Sequence, residues 1–301
     1  MMKVVLVWLL TCLIWSTVWL FIKIGVTDVP PLTFAGLRLA VALAVLVPVL
    51  VIRRTPLPRA RRDLALIAST GFLLLCVNYG LLYWGARFIS SGLTALLQSA
   101  TPAFGLVFAH LLLPDERVTG RSLGALGVGV AGVALIFSDQ LRVAGWEALL
   151  GSAAVACAAA CVALAYVLVK SKAPRVPPTA MMAGQMVCGM VPLLAAAYFK
   201  EGSPFSMRWT PAAAASLLYL ALAGSLAGFW LNYWLLRRMG AMKVLLMSIP
   251  EPLIAVLLGA LVLGERLTRG AALGGALVLL SVWLALSRRG TAAQKEQAAG
   301  G

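Results

Sequence analysis

The chain predicts an all-α integral membrane protein of ten transmembrane helices, arranged as two inverted five-helix repeats. Three observations carry that expectation. The 301 residues are 62% hydrophobic and only 12% charged, with a mean hydropathy of +0.97, whereas a soluble domain is about half apolar. The apolar residues gather into ten runs, each near the ~20 residues that a helix needs to cross the hydrocarbon layer. Short patterns also recur in the same order at an offset of about 150 residues.

The runs fall at about 4–26, 32–52, 64–85, 91–113, 119–137, 147–169, 178–199, 211–236, 241–264 and 269–288. The first is too long for a signal-peptide core and has no small-residue cleavage site, so it reads as a retained span. The short connections suit a compact bundle. Five cysteines, Cys12, Cys76, Cys157, Cys161 and Cys188, all lie inside runs and imply no disulfide framework. Cys157 and Cys161 share a helix face, but no His or acid accompanies them, so neither a metal nor any other cofactor is expected.

Basic residues outnumber acidic ones, 25 to 10, for a formal charge of +15. They cluster between runs: Arg53, Arg54, Arg59, Arg61 and Arg62 after the second, Lys170, Lys172 and Arg175 after the sixth, Arg237, Arg238 and Lys243 after the eighth. This is the positive-inside pattern rather than a nucleic-acid patch, and it puts both termini in the cytoplasm. The expected setting is a multi-pass plasma membrane, such as the bacterial inner membrane. The expected partners are the lipid bilayer and a small-molecule substrate, with the chain acting as a monomer.

The repeat is read from five matches. Lys23…Val29-Pro30-Pro31 returns as Lys170…Val176-Pro177-Pro178, and Asn78-Tyr79 as Asn232-Tyr233. Pro102 returns as Pro252, Glu116-Arg117-Val118-Thr119 as Glu265-Arg266-Leu267-Thr268, and Gly120-xxx-Gly124 as Gly270-xxx-Gly274. The unit holds five spans. Five is odd, so the second copy enters the membrane upside down. The expected division is 1–142 for the first repeat, 143–289 for the second, and a disordered cytoplasmic tail over 290–301. Inverted repeats are how many secondary transporters are built, with substrate bound near the midplane between the halves.

Glu251 is the anomaly of the ninth run. A carboxyl group near the bilayer centre costs several kcal/mol unless paired, hydrated or protonated. Pro250 and Pro252 flank it and, with Pro102, supply candidate hinges. Three roles are open to Glu251: a proton-coupling site, a contact for a substrate ammonium group, or a structural acid. Ser248 and Glu251 share one face of the ninth run, and Thr94, Gln98 and Thr101 make the equivalent face of the fourth. Both are candidate cavity walls; the alternative is close packing of small residues. Arg38, the one base well inside a run, either contacts an anion or anchors loop carbonyls. Lys23 and Lys170 read as span-end anchors. Trp15, Ser16, Trp19, Asn78, Tyr79, Tyr83, Tyr166, Trp230, Asn232 and Tyr233 are further cavity candidates. Their rings either line a pocket for an aromatic or amphiphilic ligand or form interface belts. His110 faces away from Thr101 round the helix. The Gly120-xxx-Gly124 and Gly270-xxx-Gly274 motifs, with Gly127, Gly129, Gly132 and Gly275, suggest that the fifth and tenth helices pack together.

Two stretches carry a family resemblance: Ile14-Trp15-Ser16-Thr17…Lys23…Pro31…Leu37-Arg38-Leu39-Ala40 and Glu251-Pro252-Leu253-Ile254-Ala255…Leu263-Gly264-Glu265-Arg266-Leu267. They resemble the drug/metabolite transporter superfamily, EamA type, including its aromatic amino acid exporters. The resemblance implies ten helices in two repeats and export of amino acids, other metabolites or amphiphilic drugs. Plant and organellar relatives exchange sugar phosphates or nucleotide sugars. One departure is Leu113-Pro114-Asp115-Glu116, where the first repeat spaces its Pro and Glu wider than the second.

An intramembrane enzyme is disfavoured, because there are no paired intramembrane carboxylates and no Ser/His arrangement on facing runs. A channel filter or charged ring is equally missing from the sequence. Sugar-phosphate exchange would call for several bases at cavity depth. The sequence therefore points to a secondary exporter of amino acids, aromatic and hydrophobic ones foremost, with export of amphiphilic or cationic drugs, or exchange of nucleotide sugars or sugar phosphates, as the alternatives.

Overall fold

The computed structural model describes residues 2–112, 120–172, 176–207, 209–236, 238, 247 and 249–286. Among these residues the chain forms ten helical rods: α1 (Met2–Asp28), α2 (Pro31–Ile52), α3 (Arg61–Gly85), α4 (Ser91–Leu112), α5 (Gly120–Val143), α6 (Gly145–Lys172), α7 (Pro178–Glu201), α8 (211–236), α9 (Pro250–Leu263) and α10 (Arg269–Leu286). Seven are long and apolar enough to cross a membrane; α5, α9 and α10 hold shorter apolar stretches. Ser248, Leu113-Pro114-Asp115-Glu116 and the tail over 290–301 lie outside the described residues.

The starts of the rods follow from local chemistry. α2 and α7 each begin with proline at the first helical position, where no backbone donor is lost. Ser90 and Thr210 cap α4 and α8, their hydroxyls accepting from Leu93 and Ala213 amides at 3.1 Å. α9 stops at Gly264, whose φ of 66° is the left-handed cap that glycine adopts without strain.

Most contacts between the halves come in mirrored pairs. α1 packs on α8 and α3 on α6; α1 packs on α9 and α4 on α6; α2 packs on α8 and α3 on α7. The pairs α2–α7, α4–α9 and α5–α10 map onto themselves. This is the pseudo-two-fold relation of inverted repeats.

The α5–α10 seam brings two backbones close together. A Cβ built on Gly274 would stand 2.6 Å from the Gly132 carbonyl oxygen, and one on Gly132 would stand 2.6 Å from the Gly274 carbonyl. Of the α5 glycines expected in this seam, Gly132 makes the approach, while added Cβ atoms on Gly120 and Gly124 would meet nothing within 4 Å. Gly274→Val is expected to lower the melting temperature in detergent by several degrees, since overpacking costs about 1–3 kcal/mol. Gly124→Ala should leave it unchanged. Size-exclusion survival after heating would measure both.

Neither α3 nor α8 is a straight α-helix. Each carries a π-helical stretch, Phe72–Val77 and Leu220–Ala227, at equivalent places in the two halves. Each widens its rod near the middle, and such π-bulges inside helices frequently mark functional sites. α4 breaks as well, at Ser99–Ala100, just before Thr101 and Pro102.

Polar groups of one half fasten one end of the bundle to helix starts of the other. Glu201, at the end of α7, accepts from the Leu32 and Thr33 amides at 3.0 and 2.8 Å. Glu265, just after α9, accepts from the Ser91 amide at 2.9 and 3.0 Å and from its hydroxyl at 2.6 Å. Asp28 accepts from Thr210 at 2.5 Å, and Asp139 from Thr268. All four acids bind the electropositive starts of helices or the hydroxyls that precede them. Lys23 sits at the same end and donates to the Ala86, Arg87 and Ile89 carbonyls at 2.8, 3.1 and 2.7 Å, the anchoring role expected of it.

Candidate functional site

A cavity of about 500 Å³ lies between the two halves, within the size range of small-molecule sites. The first half contributes Trp15 and Trp19 from α1, Arg38 from α2, Asn78 and Tyr79 from α3, and Gln98, Thr101 and Pro102 from α4. The second half contributes Tyr166 and Lys170 from α6, Gly224 and Phe229 from α8, and Glu251 and Pro252 from α9. The lining continues along α4 to Ala109 and along α6 to Lys170, away from the fastened end.

Glu251 stands in the first turn of α9, where the helix dipole favours a negative charge. The Trp19 indole donates to its Oε1 at 3.2 Å, which ties α1 of one half to α9 of the other. No Lys or Arg lies within 4 Å of its carboxyl group among the described residues. Arg38 is only 4% exposed. Its Nε donates to Ser225 Oγ at 3.1 Å and its Nη1 to the Tyr83 hydroxyl at 2.7 Å. Its guanidinium carbon lies 5.2 Å from the centre of the Tyr79 ring, a cation–π geometry.

The π-helical stretches set these positions. In α3 the Asn78 amide bonds to the Leu73 carbonyl five residues back, which leaves the Leu74 carbonyl for the Asn78 side chain at 2.9 Å. The Asn78 side-chain oxygen then faces Gln98 Nε2 at 3.4 Å. In α8 the wide turn holds Gly224 and Ser225, and so brings a hydroxyl against Arg38. The break in α4 lets Thr101 Oγ1 bond the Gln98 carbonyl at 2.7 Å while both side chains reach the cavity wall.

Several other candidates lie elsewhere. Ser16 and Thr94 are buried and donate to carbonyls four residues back, at 2.7 and 2.9 Å, so their hydroxyls serve their own helices. Tyr83 stands behind the wall and holds Arg38. Trp230 is 60% exposed, and the ring on the wall is its neighbour Phe229, stacked edge-on against Trp15 at 6.3 Å. Asn232 and Pro250 are half-buried off the cavity wall. The Tyr233 side chain, like Ser248, lies outside the described part. His110 is exposed and off the wall. Lys170, expected as a span-end anchor, also lines the cavity. Sequence reasoning missed Gly224, Ser225 and Phe229, because a regular 100° step per residue does not describe a π-helical turn.

The comparisons agree with this architecture. The model of the EamA-like transporter family matches twice, over residues 2–138 and 149–287. The "Uncharacterized transporter YoaV" of Bacillus subtilis (strain 168) is 30% identical over 284 residues, 94% of this chain and 97% of its own. The "Probable amino-acid metabolite efflux pump" of Escherichia coli (strain K12) is 24% identical over 92% of each chain. The "Uncharacterized inner membrane transporter YedA" of the same strain is 28% identical, covering 85% of this chain and 82% of its own. A solved crystal structure superposes with a TM-score of 0.61 at 19% identity, covering 94% of this chain and 97% of that one, a likeness of fold alone. With both halves matched separately and a pocket between them, the chain belongs to the EamA-like transporter family and is a multi-pass membrane transporter, not an enzyme.

Proposed function

We propose that this transporter is a secondary exporter of amino acids, aromatic and hydrophobic ones foremost, working by alternating access. The observation that carries the reading is the polarity of the cavity. It has a carboxylate at Glu251, a guanidinium at Arg38 and the rings of Trp15, Tyr79 and Phe229 within about 500 Å³. A zwitterion with an apolar side chain complements all three. The name of the 24%-identical Escherichia coli relative points the same way. The fastened end faces the cell exterior if both termini are cytoplasmic, as the basic connections favour. The cavity lining then runs to the cytoplasmic end, and the structure corresponds to an inward-facing state. Exchange between states is a rocking of halves 1–142 and 143–289, with bending near Pro102 and Pro252.

One observation favours a second reading. Glu251 lies beside an indole in an aromatic-rich wall, which also suits amphiphilic cations. Sugar-phosphate exchange fits less well, since Arg38 and Lys170 are the only bases on the wall among the described residues. The test is uptake into liposomes carrying the purified protein, with a panel of amino acids and amphiphilic cations at two pH values. Saturable, trans-stimulated flux of phenylalanine or tryptophan above protein-free vesicles is expected. Flux of cations alone would replace the amino-acid reading with the second one.

A further inference from the structure

Arg38 holds a permanent charge that no acid among the described residues neutralises. The guanidinium offers five N–H donors. One on Nε goes to Ser225 and one on Nη1 to Tyr83. Both acceptors are neutral hydroxyls, and no carboxylate lies within 4 Å among the described residues. Nη2 has no hydrogen-bond partner among the described residues, and it faces the bare backbone of Gly224, where an added Cβ would stand 3.4 Å away. Arg38 and Gly224 both line the cavity. A buried charge held by hydroxyls and a ring, with its remaining edge open to a ligand pocket, is poised for an anion.

We infer that Arg38 determines specificity by binding the carboxylate of the transported molecule through Nη2, with Gly224 kept side-chain-free to admit it. This rests on the amino-acid reading and deepens it: a free carboxylate becomes a condition of transport. Ser225 and Tyr83 are positioning residues that fix the plane of the guanidinium. Phosphate shares the anion chemistry, but it carries more charge than one half-occupied guanidinium balances. Glu251 on the same wall also repels it. A carboxylate with a nearby ammonium group satisfies both poles. An amine or amide with the same side chain satisfies only one.

The experiment is phenylalanine counterflow in liposomes carrying the full-length protein, with three unlabelled competitors: phenylalanine, phenylalaninamide and inorganic phosphate. The amide keeps the ring and the ammonium group and loses only the carboxylate charge. In the unmodified protein the amide is expected to compete at least tenfold more weakly than phenylalanine, and phosphate not at all. Arg38→Gln should bring phenylalanine and the amide to within about twofold of each other, a fold-change near the precision of such assays. Gly224→Ala adds one methyl group against Nη2 and meets Val18 at 3.0 Å, a small enough change to keep the fold. It should weaken phenylalanine severalfold and leave the amide unchanged, and it carries the test if Arg38→Gln does not fold. Equal competition by the amide in the unmodified protein overturns the assignment while the amino-acid reading stands. So does discrimination that survives in Arg38→Gln. Phosphate competing as well as phenylalanine overturns it in favour of a general anion site. No phenylalanine counterflow at all removes the amino-acid reading, and the carboxylate assignment with it.

Discussion

Glu251→Gln is expected to weaken the apparent affinity for a zwitterionic or cationic substrate by about ten- to a hundredfold. The carboxylate accepts one hydrogen bond, from the Trp19 indole at 3.2 Å. Its other oxygen has no partner among the described residues and opens on a cavity that both halves line. Gln keeps the shape, the α9 start and an acceptor for Trp19. It loses only the charge and the ability to exchange a proton. A hydrogen bond to a charged group contributes about 1.5–3 kcal/mol, and each ~1.4 kcal/mol is tenfold in affinity. Half-saturation constants in liposomes at two pH values would measure it. The variant should also lose any acceleration by a pH gradient. Transport unchanged at both pH values would reduce Glu251 to a structural acid bonded to Trp19.

The second large effect is expected at the fastened end. Glu265→Gln should shift the population toward the state in which that end is open, by about tenfold or more. Glu265 makes three contacts to Ser91, two of them to the amide that starts α4. These contacts join the second half to the first, as do those of Glu201 to α2. A charged acceptor on a helix start is worth more than the neutral amide that would replace it. Losing ~1.5–3 kcal/mol from one state only moves a two-state equilibrium by that amount. The reporter is Ala95→Cys on the cavity wall, in a background without other cysteines. Labelling by an impermeant maleimide from the fastened side should rise in Glu265→Gln and rise further with Glu201→Gln. A lower melting temperature with unchanged labelling would make these contacts fastenings of the fold and not a gate.

Much of the architecture was legible because the membrane imposes it. Each span must be apolar for about 20 residues, and basic residues gather in the connections. Nine of the ten expected runs coincide with described rods to within a few residues. The start of the ninth, before Ile249, falls largely outside the described part. The pairing of α5 with α10 was readable from their glycines, of which Gly132 and Gly274 make the close contact. The polar residues were harder. Glu251, Gln98 and Thr101 announced themselves as costly groups in apolar runs, and they line the cavity. Ser16 and Thr94 looked similar, yet each is satisfied by its own helix. Hydroxyls have that option, and side-chain spacing does not reveal when they use it. Of the four acids at the fastened end, Glu265 stood out only as part of the repeat and the family pattern, because an acid beside a span end is ordinary until its partner half is known.

By itself, the sequence determined the class, the ten spans, the inverted repeat and the costly carboxyl group. Those follow from local composition and from internal similarity, which need no coordinates. Only the tertiary structure decided which polar groups converge. The π-helical turns in α3 and α8 rotate Asn78, Ser225 and Phe229 out of the register that regular periodicity gives. The pseudo-two-fold axis brings Arg38, from the first half, against Ser225 and Gly224 of the second, 187 residues from Arg38 to Ser225 along the chain. Convergence across that distance depends on how the two halves pack, and no local pattern encodes it.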